Sequence, residues 1–210
     1  MTSNDPDAAM PVLNGIVLAG GKSLRMGRDK SALEWHGKAQ HYFMADLLQN
    51  YCENVFISCR PEQQPLIHTH YKTLPDAYEG LGPYGALLSA FQKRADRAWL
   101  VTACDLPLLD ADTLSYLVAQ RDPNAMATTF ESPFDGLPEP LITIWEPKAY
   151  AVLLAGLSQG KQCPRKPLLN NHVKIIQAKN AQALMNVNTP QEFEKAAQLL
   201  QQNNPHQHAE

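Results

Sequence analysis

The stretch GIVLAGGKSLRMGRDKSAL, residues 15–33, opens as a buried strand and passes at Gly20 into a loop that sets three glycines, two lysines and two arginines against one aspartate. Lys22, Arg25, Arg28 and Lys30 crowd into nine residues of a chain whose net charge is −3, and their repulsion is unfavourable unless an anion sits among them. A Walker A loop is one reading, because Gly21, Lys22 and Ser23 match its closing GK[ST]. That pattern also needs a glycine five positions before Gly21, where this chain has Ile16. A strand-to-helix turn with a solvated basic face is a second reading, which the cation cluster weakens. The third is a triphosphate site after the first strand. Glycines let backbone N–H groups approach phosphate oxygens, and Arg and Lys neutralise the remaining charge.

Working outward from that loop, strand-like and helix-like segments alternate. NGIVLAG (14–20) reads as a strand, KAQHYFMADLLQNY (38–51) as an amphipathic helix, NVFISC (54–59) as a strand and PYGALLSAFQKRADR (83–97) as a helix. AWLVTAC (98–104) is a further strand, and Asp110 or Asp112 can cap the helix after it. AMATTF (125–130), EPLITIW (139–145) and VKIIQA (173–178) read as strands, and PKAYAVLLAGLSQG (147–160) as a helix stopped by Gly160. In NVNTPQEF (186–193), Thr189, Pro190 and Glu192 form a capping box for a last helix. Continuous apolar strands alternating with helices predict an α/β fold: a Rossmann-like, doubly wound, mostly parallel sheet with helices on both faces. Ligands of such sheets bind beyond the carboxyl ends of the strands. Residues 1–12 and 201–210 read as flexible tails around a single domain, residues 13–200.

The bounds agree with this. A chain of 210 residues, 44% hydrophobic and 19% charged, has the composition of one soluble globular domain. Its mild net charge provides no general field for nucleic acid or a membrane surface. Cys52, Cys59, Cys104 and Cys163 lack CxxC or Cys/His metal spacing, and read as thiols of a reducing compartment. With no secretory signal and no apolar run of about 20 residues, the expected location is the cytoplasm. A triphosphate arrives with Mg²⁺, which takes carboxylate oxygens, and Asp105, delivered to the carboxyl edge by the strand before it, is the candidate ligand.

LAGGKSLRMGRDK (18–30) resembles the signature LAGGxSxRMGxDK of the MobA-like NTP transferases. PDAYEGLGPYGALLSA (75–90), CDLPLL (104–109) and NVNTPQEF follow in the order expected of that family. The resemblance spans about residues 13–198 and implies a nucleotidyltransferase that joins GMP, taken from GTP, to the terminal phosphate of molybdopterin and releases pyrophosphate. It implies that Leu18, Ala19, Gly20 and Gly21 line the nucleotide and that Lys30 contacts its phosphates. Arg25 would act near the leaving pyrophosphate, Asp76 would contact base or sugar, and Asp105 would hold Mg²⁺ as the cofactor. Arg25, Lys30 and Asp105 are then the catalytic set, with Asn186 and Asn188 facing the pterin. LAGG in place of the LAAG of cytidylyltransferase relatives implies guanine. Transient contact with proteins that supply or accept the cofactor is the only partnership implied.

Two positions depart from the family pattern. Ser58 or Cys59 stands where an Asn often contacts the nucleotide, and Cys59 takes that place in our assignment. Glu139 replaces the His of a common His-Pro pair, which should weaken a phosphorylated acceptor unless Glu139 faces away or holds a second metal. Lys161, Arg165 and Lys166 could compensate by meeting the acceptor phosphate. The departures keep open a catalytically inactive nucleotide-binding module, beside two enzymatic alternatives, a cytidylyltransferase for the same pterin and a sugar- or alcohol-phosphate nucleotidyltransferase.

Overall fold

Ile16 and Val17, neighbours in the first strand, are both fully buried, so the sheet that holds them is covered on both faces. The computed structural model describes residues 10–19 and 33–203, and the glycine-rich loop, residues 20–32, lies outside the described residues. Gly20, Gly21, Arg25 and Lys30 fall in that loop. The elements run β1 (Leu13–Leu18), α1 (Gln40–Gln49), β2 (Val55–Cys59), β3 (Lys72–Pro75), α2 (Pro83–Lys93), β4 (Ala98–Ala103) and α3 (Ala111–Ala119). They continue with β5 (Ala127–Glu131), β6 (Pro138–Trp145), α4 (Ala149–Ser158), α5 (Arg165–Asn170), β7 (Lys174–Ile176) and α6 (Pro190–Asn203).

The seven strands form one sheet in the order β3-β2-β1-β4-β6-β5-β7. β1 lies between β2 and β4, with Leu18 opposite Ser58 on one side and Ala103 on the other. Within the sheet every pairing is parallel except those of β6 with β4 and β5. On one face Val17 packs with Met44 and Leu48 of α1 and with Leu114 and Leu117 of α3. On the other, Ile16 packs with Leu87, Leu88 and Phe91 of α2, Leu153 of α4 and Leu168 of α5. Each such side chain contributes about 1.5–3 kcal/mol when fully buried. This is the Rossmann-like, doubly wound sheet that the strand–helix alternation predicts.

The reversal at β6 has a local cause. Residues 132–137 turn the chain back at the end of β5, with Gly136 at φ +69 and its N–H donating to the Ser132 carbonyl at 2.9 Å. The start of β6, and with it Glu139, is thereby brought to the edge where β1, β2 and β4 end.

Of the two candidate caps for α3 it is Asp110 whose carboxylate accepts the Thr113 N–H, at 2.8 Å. α4 ends as expected at Gly160, φ +69. α6 runs to Asn203, so residues 201–203 are helical where the sequence reading began a tail; Gln201 and Gln202 are good helix formers and carry the last turn on. Four elements went unnoticed in the sequence. β3 is a four-residue edge strand, α5 is a six-residue helix inside the basic segment, and 3-10 turns occupy Pro61–Leu66 and Ala181–Leu184. All are too short for a period to emerge.

Candidate active site

The carboxyl edge of the sheet is stitched together by main-chain hydrogen bonds between segments far apart in sequence. The Ala19 N–H donates to the Ser58 carbonyl at 3.0 Å, and the Cys104 N–H to that of Leu18 at 3.4 Å. The Asp76 N–H donates to the Cys59 carbonyl at 3.0 Å, and the Val187 N–H to that of Asp105 at 2.8 Å. Leu18, Ala19, Cys59, Asp76, Asp105 and the Asn186–Asn188 segment therefore share one rim. Residues 36–40 reach the same rim. His36 lies with its Nε2 2.9 Å from the Pro107 carbonyl oxygen, and the Gln40 amide donates to that of Leu106 at 3.3 Å. Burial holds the His36 imidazole below its ordinary pKa, against the opposing effect of its bond to Pro107.

Asp76 follows β3 and is half-buried. The Ser58 hydroxyl donates to its Oδ1 at 2.7 Å. Burial raises the Asp76 pKa above the usual carboxylate range, and the Ser58 hydrogen bond pulls it back in part. The loop after Asp76 is anchored to α2: the Ala77 N–H donates to Ser89 Oγ at 2.9 Å, and Ser89 Oγ donates to the Gly85 carbonyl at 2.8 Å. Gly85 makes this docking close, since a Cβ there would collide with the Tyr78 carbonyl oxygen. Of Ser58 and Cys59, it is thus Ser58 whose side chain reaches Asp76. The Cys59 thiol is buried, and burial, with Asp76 and Glu62 nearby, pushes its pKa up to about 11. At neutral pH it is a protonated thiol and a poor nucleophile.

Asp105 stands two residues beyond β4, half-buried, in a segment nailed down by buried Leu106, Leu108 and Leu109. Among the described residues no three His, Cys, Asp or Glu side chains gather as metal ligands. One carboxylate among the described residues does not make a structural metal site. It does fit Mg²⁺ arriving with a nucleotide, because that ion keeps several waters and takes one or two carboxylates together with phosphate oxygens.

The late asparagines flank Val187, which is 2% exposed, while both stay half-buried. Their segment is fixed from the other side by the capping box of α6. Glu192 Oε2 accepts the N–H groups of Asn188 at 2.7 Å and Thr189 at 2.9 Å, and Thr189 Oγ1 accepts the Glu192 N–H at 3.3 Å.

Glu139 is 6% exposed and neither faces solvent nor joins a group of metal ligands among the described residues. Its Oε2 lies 3.5 Å from Arg165 Nη2, and Arg165 Nη1 lies 2.7 Å from Asp135 Oδ2. The basic segment divides accordingly. Arg165 turns to the start of β6, whereas Lys161 and Lys166 line a cleft of about 370 Å³ between α4 and α5, with Tyr84 on its wall. None of the described residues assigned to the nucleotide borders that cleft. Ser89 and Asp135 gave little signal in the sequence: a serine inside a helix or an aspartate in a turn acquires its meaning only from what the fold sets opposite it.

The family model described as MobA-like NTP transferase domain matches residues 15–199. A molybdenum cofactor guanylyltransferase of Xanthomonas euvesicatoria pv. vesicatoria is 34% identical over 186 residues, covering 86% of this chain and 92% of that protein. A molybdenum cofactor biosynthesis bifunctional protein of Synechocystis sp. is 34% identical over 193 residues, and the match takes in 91% of this chain and 56% of that longer protein. Among solved structures, molybdopterin-guanine dinucleotide biosynthesis protein A of Archaeoglobus fulgidus superposes with a TM-score of 0.75 at 19% identity, over 91% of this chain and 100% of that one. A cytidylyltransferase of Thermus thermophilus shares the fold at a TM-score of 0.64 and 15% identity, over 90% and 99% of the two chains.

Proposed function

That the chain belongs to the MobA-like NTP transferase family is the premise from which we propose its reaction: transfer of GMP from GTP to the terminal phosphate of molybdopterin, with release of pyrophosphate. The observation that carries this reading is the Val187 N–H bond to the Asp105 carbonyl. It sets the asparagine pair suited to a pterin edge beside the carboxylate suited to the nucleotide's metal. Guanylyltransferase names among the relatives at 34% identity support the base and the acceptor.

The chemistry asks little of covalent catalysis. A phosphate monoester has its second pKa near 6, so the acceptor is mostly a dianion at pH 7 and attacks the α-phosphorus without a general base. What remains is alignment and charge. Leu18 and Ala19 border the nucleotide, Asp76 holds its base or sugar, and Asn186 and Asn188 orient the pterin. Lys30 and Arg25 neutralise the phosphates and the departing pyrophosphate. Asp105 would hold Mg²⁺, which supplies further charge neutralisation on the phosphate oxygens when bound. Arg165, the first residue of α5, set against Glu139 at the start of β6, meets the acceptor phosphate. No helix among the described residues is long and apolar enough to cross a membrane, and we place the enzyme in the cytoplasm, in transient contact with proteins that supply or accept the cofactor.

The test is to mix the protein and Mg²⁺ with molybdopterin and each of the four nucleoside triphosphates in turn, following pyrophosphate and the dinucleotide. GTP alone should give efficient turnover; absence of product with every base refutes the reading. Asp105→Ala and Lys30→Ala should each reduce kcat/KM by roughly 10²–10³-fold with little change in Tm.

A further inference from the structure

Resting on the reading that Arg165 receives the acceptor phosphate, we infer that Asp135 is an exchangeable substitute for that phosphate, neutralising Arg165 while the acceptor is absent and releasing it when the acceptor binds. The two carboxylates around the guanidinium differ in kind. Glu139 is buried at the start of β6, and its main-chain carbonyl is fixed by the hydroxyls of Thr129 and Thr143. A buried carboxylate deprived of its cation is costly, so the Glu139–Arg165 contact is the permanent one. Glu139 thereby acts as a positioning residue, keeping Arg165 at the rim.

Asp135 stands at the tip of the β5–β6 turn, with its side chain 44% exposed. The turn does not depend on Arg165. The Ser132 N–H donates to the Leu137 carbonyl at 2.8 Å, the Gly136 N–H to that of Ser132 at 2.9 Å, and Asp135 Oδ1 accepts the Leu137 N–H at 3.1 Å. Arg165 engages the other oxygen, Oδ2, at 2.7 Å. Such exposed pairs contribute little to stability, whereas a phosphate dianion offers a guanidinium two charge-assisted bonds. Exchange therefore favours a phosphate monoester. After transfer the same phosphorus is part of a pyrophosphate bridge and has lost one of its terminal oxygens, so Asp135 recovers Arg165 and product leaves. The ligand class selected is a terminal phosphate dianion over bridged phosphates.

Steady-state kinetics with GTP and Mg²⁺ saturating and molybdopterin varied decide the matter. Asp135→Asn keeps the Oδ1 acceptor that the turn uses and removes the competing charge. It should lower the acceptor KM by roughly three- to tenfold and leave the GTP KM unchanged. The gain should vanish in an Arg165→Gln background. An acceptor KM that is unchanged or raised in Asp135→Asn, with wild type active, overturns this inference alone and makes the pair a structural clamp. No dinucleotide from the wild type overturns the proposed reaction and this inference together.

Discussion

At the scale of the residue, Asp76 carries opposed demands. Its half-buried carboxylate is partly desolvated, so the native chain holds its proton more tightly than the unfolded chain, whose reference value is 3.8. The native state then binds more protons than the unfolded one above that value, and stability from this group falls as the pH rises through the elevated native pKa. At neutral pH the ionised side chain opposes folding, with the Ser58 hydroxyl offsetting part of the cost. Asp76→Asn, which still accepts from Ser58, should raise Tm at pH 7, with the gain disappearing below about pH 3.8. The same change should raise the KM for GTP about tenfold or more, since the charged hydrogen-bond partner proposed for the nucleotide is lost. Thermal melts across pH and initial rates check the two halves separately, and a Tm lowered at pH 7 would contradict the first. In the sequence Asp76 was legible only through its motif. Its partner Ser58 is one of two neighbours at the end of β2, and nothing in the sequence prefers it to Cys59. Successive residues of a strand point to opposite faces, and only the neighbouring strand decides which of them meets Asp76.

At the scale of the element, α6 was the most legible piece of the chain and α5 among the least. Thr189, Pro190 and Glu192 specify a helix start by local chemistry alone, and the structure contains both halves of that box. α5, by contrast, packs Pro164 and Pro167 around a single turn and a half, so its prolines and charges read as a loop. Pro167 is tolerated because the N–H it lacks lies in the first turn, where no carbonyl of the helix would accept it. The cap of α6 matters beyond the helix. Phe193 packs against Trp35 with the rings tilted by 41° and their centroids 4.3 Å apart, and buried Ala196 packs with Leu108, Met185 and Val187. The helix is thus the back wall of the Asp105 and Asn186–Asn188 segments. Thr189→Ala should cost about 1 kcal/mol, or roughly 2–4 °C in Tm. It should raise the KM for molybdopterin more than that for GTP, because the asparagines proposed to face the pterin are set by this cap and Asp76, proposed to meet the nucleotide, is not. Equal effects on both substrates would place the acceptor elsewhere.

At the scale of the whole molecule, chemistry and stability sit at opposite edges of the sheet. The alternation of buried strands and helices was enough to read the doubly wound architecture, and the described candidate residues lie together at the carboxyl edge to which the switch-point rule points. The antiparallel β6 was not legible, because a strand's direction depends on how its neighbours close around it. That one reversal moved Glu139 from an unexplained departure to the foot of Arg165. At the far edge, beyond the start of β4 and the end of β6, Arg121 and Glu146 form a pair whose side chains are 6% and 0% exposed. Arg121 donates to both Glu146 oxygens, at 2.6 and 2.9 Å, and to the Pro11 carbonyl at 2.7 Å. The pair locks the entry to β1, the end of α3 and the end of β6 together. Removing one partner strands a buried charge, so Arg121→Ala should cost about 3–5 kcal/mol and lower Tm by roughly 6–20 °C. A well-packed Arg121→Met/Glu146→Leu double variant should recover much of that loss, because desolvation of both ions disappears with them. Since the rim is built from the other ends of these strands, the KM values for GTP and acceptor, measured well below Tm, should remain within about twofold of wild type for both variants. A variant that kept its Tm but lost substrate affinity would mean that the two edges are coupled and that the far pair belongs to the site.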